Sequence, residues 1–193
     1  MWRSSAKSLG ITLLIVAGIF YYWTERIVDP ARLHGANKIE IRSTAGAVEI
    51  VGSDKNEIEV TVDGQSANAR GVEVAIDRGH GPIRVGIARI PQNAHVEVRV
   101  PADASIAVNM SAGELRIRGV KGDIGSLLRS GRMVISVEDS KPFASADGSV
   151  LAGAIQAPVF GRNKGGLFRR FIWTGHGGTT LRAHVTTGEL VVR

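Results

Sequence analysis

Arg162, Lys164, Arg169 and Arg170 set four cations within nine residues, and Phe160, Phe168, Phe171 and Trp173 interleave four aromatics with them. Guanidinium groups grip phosphate or carboxylate with two parallel hydrogen bonds. Flat aromatic rings stack on sugars or settle into a lipid headgroup layer. The stretch reads as a loop leaving the fold to touch anionic lipid or acidic glycan, with Arg162, Lys164, Phe168, Arg169, Arg170, Phe171 and Trp173 as the binding set. A plainer reading is a hairpin whose aromatics cover the open end of a core while its arginines stay in water.

Other chemistries find little support. His34, His80, His95, His176 and His184 have neither paired spacing nor an acidic companion, so no metal site is expected. His95 and His184 fall in alternating runs and read as surface or edge residues, and Gly175-His176-Gly177 reads as a tight turn. The glycines at 161–166 lack the Lys-Ser/Thr that closes a phosphate loop. No serine stands in a nucleophile-elbow sequence, and no paired acids suited to glycoside hydrolysis share a column. The chain is expected to be no enzyme, to need no cofactor and to bind no nucleic acid. With no cysteine, disulfides and thiolate sites are excluded.

The elements that would carry the cluster are strands. Lys38-Ile39-Glu40-Ile41-Arg42, residues 57–62, residues 72–76 and His95 to Val100 alternate apolar with polar, broken by turn sequences such as Asp63-Gly64 and Pro91-Gln92-Asn93. A repeat follows: small-polar, small-polar, Gly, then an apolar alternation, with glycines at 113, 131, 148 and 188. The first three lie 18 and 17 residues apart; the fourth comes after 40, room for two more units and a few inserted residues. A fixed period near 18 is what a stacked coil of short strands needs. Aligned on the glycines, Leu115, Met133, Val150 and Leu190 form one inward column, and Ile117, Ile135, Ala152 and Val192 another. Outside, Glu114 aligns with Arg132 and Asp123 with Lys141. A β-sandwich is the rival fold. Arg193 ends the chain on a strand, which would leave a free edge for an oligomer.

Ahead of the strands, Leu9 to Trp23 is free of charge, and Trp2 and Tyr21-Tyr22-Trp23 bracket it. As a helix the bracketed stretch would run about 32 Å, with aromatic residues at both interfaces of a bilayer. No small-residue cleavage site follows, so the segment reads as an uncleaved signal-anchor; a cleaved signal peptide is the alternative. A basic tail before the apolar core puts the remainder outside the cytoplasm. After Pro30 the chain carries 21 Lys and Arg against 16 Asp and Glu, a net charge of +5. That basicity suits acidic partners without selecting one.

His95 to Pro101, the run from Ser111 to Ile124, and Phe171-x-Trp173-x-Gly175-x-Gly177 resemble the bacterial "putative adhesin" family of domains of unknown function, over roughly residues 38–193. The resemblance implies a right-handed β-solenoid on the extracytoplasmic side of a bacterial membrane, with no agreed catalytic residues. The expected organisation is a cytoplasmic tail and single transmembrane helix over 1–30, a linker over 31–37 and an all-β solenoid over 38–193. The expected function is that of an adhesin-like scaffold of the bacterial inner membrane, held by lipid contacts at Leu9 to Trp23. A structural or signalling partner of another membrane protein is the second reading, and a polysaccharide-active enzyme a distant third.

Overall fold

The computed structural model describes residue 30, residues 33–35 and residues 37–193. The expected tail and membrane helix lie outside them. Among the described residues, no helix is long and apolar enough to cross a membrane.

The alternating sequence produces β1 (Lys38–Ser53), β2 (Glu59–Val62), β3 (Gln65–Ser66), β4 (Glu73–Asp77), β5 (Ile83–Ala88) and β6 (His95–Pro101). It continues with β7 (Ser105–Arg118), β8 (Ile124–Ser136), β9 (Phe143–Ala157), β10 (Arg162–Thr174) and β11 (Thr179–Val192). These form one open sheet, in the order β10-β9-β11-β8-β7-β1-β6-β2-β3, with β5 also on β1 and β4 on β5. Neighbours β1, β7, β8, β11 and β9 all run parallel and in register.

Each of these five strands bends at a glycine. Gly46, Gly113, Gly131, Gly188 and Gly153 stand side by side across the sheet, with φ between 116° and 141°. A Cβ on Gly131 would lie 1.9 Å from the Gly113 carbonyl oxygen, so only glycine fits the line. Burial changes parity across it. In β8, Ile124, Ser126 and Leu128 point inward before the bend, and Met133 and Ile135 after it. The two halves of β8 then meet: Ser126 Oγ donates to Met133 Sδ at 3.2 Å, where seven extended residues would span about 23 Å. The sheet is folded along the glycine line, and its halves share one core of aliphatic columns such as Val48, Leu115, Met133, Leu190 and Ile155. Each fully buried Ile, Leu or Met contributes about 1.5–3 kcal/mol. The fold is all-β, the sheet does not close, and the β-sandwich alternative fits it.

Several expectations are corrected. The third bend glycine is Gly153; Gly148 sits mid-strand opposite Ala183, where its missing side chain makes room for the Phe171 ring. The columns shift with it, so Ile155 replaces Val150 beside Leu190, and Val192 has no partner in Ala152. The 40-residue gap holds the remainder of β9 and an antiparallel strand, β10, in place of two further repeats. Lys141 lies beside Asp139 in an exposed turn, away from buried Asp123. The C-terminal strand is internal, between β8 and β9, and Arg193 exchanges backbone hydrogen bonds with Ile135 and Val137. The sheet's edge at this end is β10.

Candidate functional site

The cationic segment is a strand, not a loop. β10 runs antiparallel to β9 from Arg162 opposite Ala157 to Thr174 opposite Ser145. A short 3-10 turn at Pro158–Phe160, closed by left-handed Gly161, reverses the chain between them.

Its side chains divide into two groups. Phe171 is buried, and with Phe160, Phe143 and Trp173 it forms an aromatic cap on this end of the core. Ring centroids from Phe160 to Trp173, Phe171 and Phe143 are 5.1, 5.7 and 5.9 Å apart. Of the predicted binding set, Phe171 and Trp173 are therefore occupied inside. Arg170 is committed too: Nε and Nη2 donate to the two Asp147 carboxylate oxygens at 2.9 and 2.7 Å. Outside remain Arg162, Lys164, Phe168 and Arg169, joined by Leu167 and Ile172, which the composition-based reading passed over.

Leu167, Phe168 and Ile172 are 63, 59 and 58% exposed, three of the four large exposed apolar residues among those described. Among the described residues, no acid pairs with Arg162, Lys164 or Arg169. Arg169 Nε donates to the Gly165 carbonyl at 2.6 Å, and Lys164 Nζ donates to the Arg170 carbonyl at 2.9 Å. Many charges elsewhere are paired. Glu49 takes Arg118 at 2.7 Å and His95 at 3.1 Å, Glu97 takes Arg99 at 2.6 Å, and Glu189 takes Arg132 at 3.0 Å. Burial alone would raise the Glu49 carboxyl, but the bonds from Arg118 and His95 prevail and hold it below its ordinary value.

Two further polar constellations were invisible in the spacing. Ser149 Oγ lies 2.5 Å from His184 Nδ1, beside Asp147. The residue types suggest a nucleophile, base and acid, but Ser149 is 4% exposed, His184 is fully buried and Asp147 is taken by Arg170. No substrate reaches the hydroxyl. Burial drives the His184 pKa down to about 4 against the opposing pull of Asp147, so the ring is neutral. This corrects the surface position expected for His184. The second is Asp123, 2% exposed, which accepts from the His34 N–H and ring Nδ1 and from the Thr180 N–H, all at 2.7 Å. Burial raises its carboxyl, these bonds outweigh it, and the net shift is downward.

An open cleft of about 620 Å³ lies over β4, β5, β1 and β7, its lining including Arg42, Thr44, Glu73, Ala75, Gly86 and Asn109. No cluster of three or more metal-ligating side chains occurs among the described residues.

Fold and surface together define an open, folded β-sheet domain with a cationic and apolar edge strand. The chain is similar to the crystal structure of a "putative cell adhesion protein" from Clostridium sporogenes ATCC 15579, with TM-score 0.50 and 10% identity over 81% of this chain and 92% of that one. At that identity the likeness concerns the fold alone. No protein-family description and no curated protein matches the chain.

Proposed function

We propose that this chain is a non-catalytic, adhesin-like interaction domain of the bacterial envelope, tethered through Leu9 to Trp23 and lying outside the cytoplasm. The observation that carries the reading is β10: thirteen residues without an acid, four cations, and three large apolar side chains in water. Such a strand has no purpose in the core and is costly to leave bare. The parallel, in-register stacking of the bent strands supports a right-handed solenoid in which each strand and its turn form one coil. In that coil β11 occupies a place ahead of β9.

The test is crosslinking in intact cells from a photoreactive residue at Lys164 or Arg169, with Gln65 on β3 as the comparison. Adducts from β10, in the membrane fraction, are expected. Equal yields from both ends of the sheet, or recovery of the chain from the cytosol, would overturn the reading.

A further inference from the structure

We infer that the bend of β10 enters the interface of an anionic lipid bilayer beside the chain's own anchor. Leu167 and Phe168 sit among the acyl boundary groups, and Arg162, Lys164 and Arg169 meet lipid phosphates. This rests on the reading of β10 as the contact strand and names what it contacts.

Backbone geometry is the first argument. Phe168 adopts φ of 53°, left-handed and unfavourable for a side-chain-bearing residue, two positions after Gly166 at 112°. The strain returns little burial, because the residue it orients is 59% exposed. Leu167 and Phe168 are therefore adjacent and both exposed at a corner of the edge strand. An adjacent aliphatic and aromatic pair flanked by cations suits a headgroup boundary, where apolar insertion and attraction to anionic lipid add.

The side chains also decide against other occupants. Sugar recognition needs a flat aromatic platform with carboxylates or amides beside it. The strand's indole, Trp173, is turned inward onto Phe160, no acid is present from Arg162 to Thr174, and the strand offers a sugar only the Phe168 ring and the Asn163 amide. Leu167 and Ile172 offer a sugar nothing to stack on. A second copy pairing along the same edge would oppose the three cations that no acid pairs among the described residues, Arg162, Lys164 and Arg169, to the same three. Arg169 and Lys164, folded back onto the carbonyls of Gly165 and Arg170, already blunt that edge against another strand.

Connectivity supplies the last argument. The chain from Leu9 to Trp23 joins the sheet at His34, bound to Asp123, which also holds Thr180. Asp123 stands at the start of β8, Thr180 of β11 pairs with Ser145 and Ser145 with Thr174, so the junction lies about three strand spacings, roughly 15 Å, from the Thr174 end of β10. Ten residues separate Trp23 from His34, a reach of at most about 35 Å. An anchor in the bilayer keeps β10 within range of its surface.

The chain has no cysteine, so single positions take a probe cleanly. Full-length Leu167→Cys and Gln65→Cys, each carrying an environment-sensitive fluorophore, are reconstituted into phosphatidylcholine vesicles with or without phosphatidylglycerol, and quenching by brominated lipid is measured. The expected result is quenching at 167 and none at 65, in anionic vesicles only, lost when Arg162, Lys164 and Arg169 are all changed to Ser. A probe at 167 as water-exposed as one at 65 overturns the inference, as does quenching indifferent to lipid charge. A response to soluble heparin in place of vesicles also overturns it. Protein adducts from β10 in cells, with no lipid quenching, would leave the contact strand standing and remove only the bilayer.

Discussion

Asp123 holds His34 twice, through the backbone N–H and through ring Nδ1, both at 2.7 Å, across 89 residues of sequence. The same carboxylate takes the Thr180 N–H, and its neighbour Ser105 donates its hydroxyl to the His34 carbonyl. One buried acid therefore fixes both the chain's arrival at the sheet and the start of β11.

Removing that charge should loosen both. In Asp123→Asn we expect lost hydrogen-exchange protection at His34 and Thr180, at a cost of about 2–3 kcal/mol, since a charged acceptor of three bonds is replaced by a neutral one. The sign with pH follows from the lowered carboxyl. The contribution is fully present above the unfolded Asp range and disappears as pH falls through the folded value. Wild type should therefore resemble the variant only in strong acid. Protection unchanged in Asp123→Asn at neutral pH would refute the clamp.

His184 works at a higher pH. Its folded value near 4 lies below the ordinary 6.5, so the unfolded chain binds more protons between the two. Stability is complete above about 6.5 and falls as pH drops toward 4, by about 3 kcal/mol for such a shift. Asp123 and Glu49, both lowered, begin to lose their contributions only at the acid end of this window, below their ordinary values of 3.8 and 4.5. Urea denaturation at pH 7 and pH 4.5 should give a marked loss in wild type and a flatter profile in His184→Asn. Equal pH slopes would show that the ring is solvated.

The bend line makes a contrast between glycines that look alike in sequence. At Gly131 an added methyl meets the Gly113 carbonyl at 1.9 Å with φ at 130°. Gly131→Ala should cost about 4 kcal/mol or more, or prevent folding. At Gly165 no atom lies within 4 Å of the added carbon and φ is ordinary, so Gly165→Ala should stay within about 0.5 kcal/mol of wild type. Thermal unfolding of the pair tests the line directly.

What the sequence disclosed follows from what is local. Gly113, Gly131 and Gly188 stand just before apolar alternations, and the structure places all three on one line. Gly153 escaped because Leu151-Ala152-Gly153-Ala154-Ile155 reads as uninterrupted strand, while Ala146-Asp147-Gly148 imitates the repeat. β10 reads as a loop in the sequence because residues 162–170, all exposed in the fold, carry no alternation of the kind that marks a strand with one face buried. The place of β11 between β8 and β9, and with it the meeting of Ser149 and His184, depends on pairing across 35 or more residues that no local pattern encodes. For the site, composition located the cations, and only the fold separated the inward Phe171 and Trp173 from the outward Leu167, Phe168 and Ile172.

That separation predicts opposite responses from two phenylalanines three residues apart. Phe171 fills the space that Gly148 leaves and stacks on Phe160 at 5.7 Å, so Phe171→Ala opens a cavity in the cap and should cost about 3–5 kcal/mol. Phe168 packs little and holds a left-handed backbone. Phe168→Gly relieves that strain while giving up only the partial burial of a residue 59% exposed, and should leave stability near that of wild type or raise it by up to about 1 kcal/mol. A protein that gains stability when a large aromatic is deleted keeps that residue for something other than folding. If Phe168→Gly instead destabilises as Phe171→Ala does, the ring belongs to the core and β10 loses its claim as a contact surface.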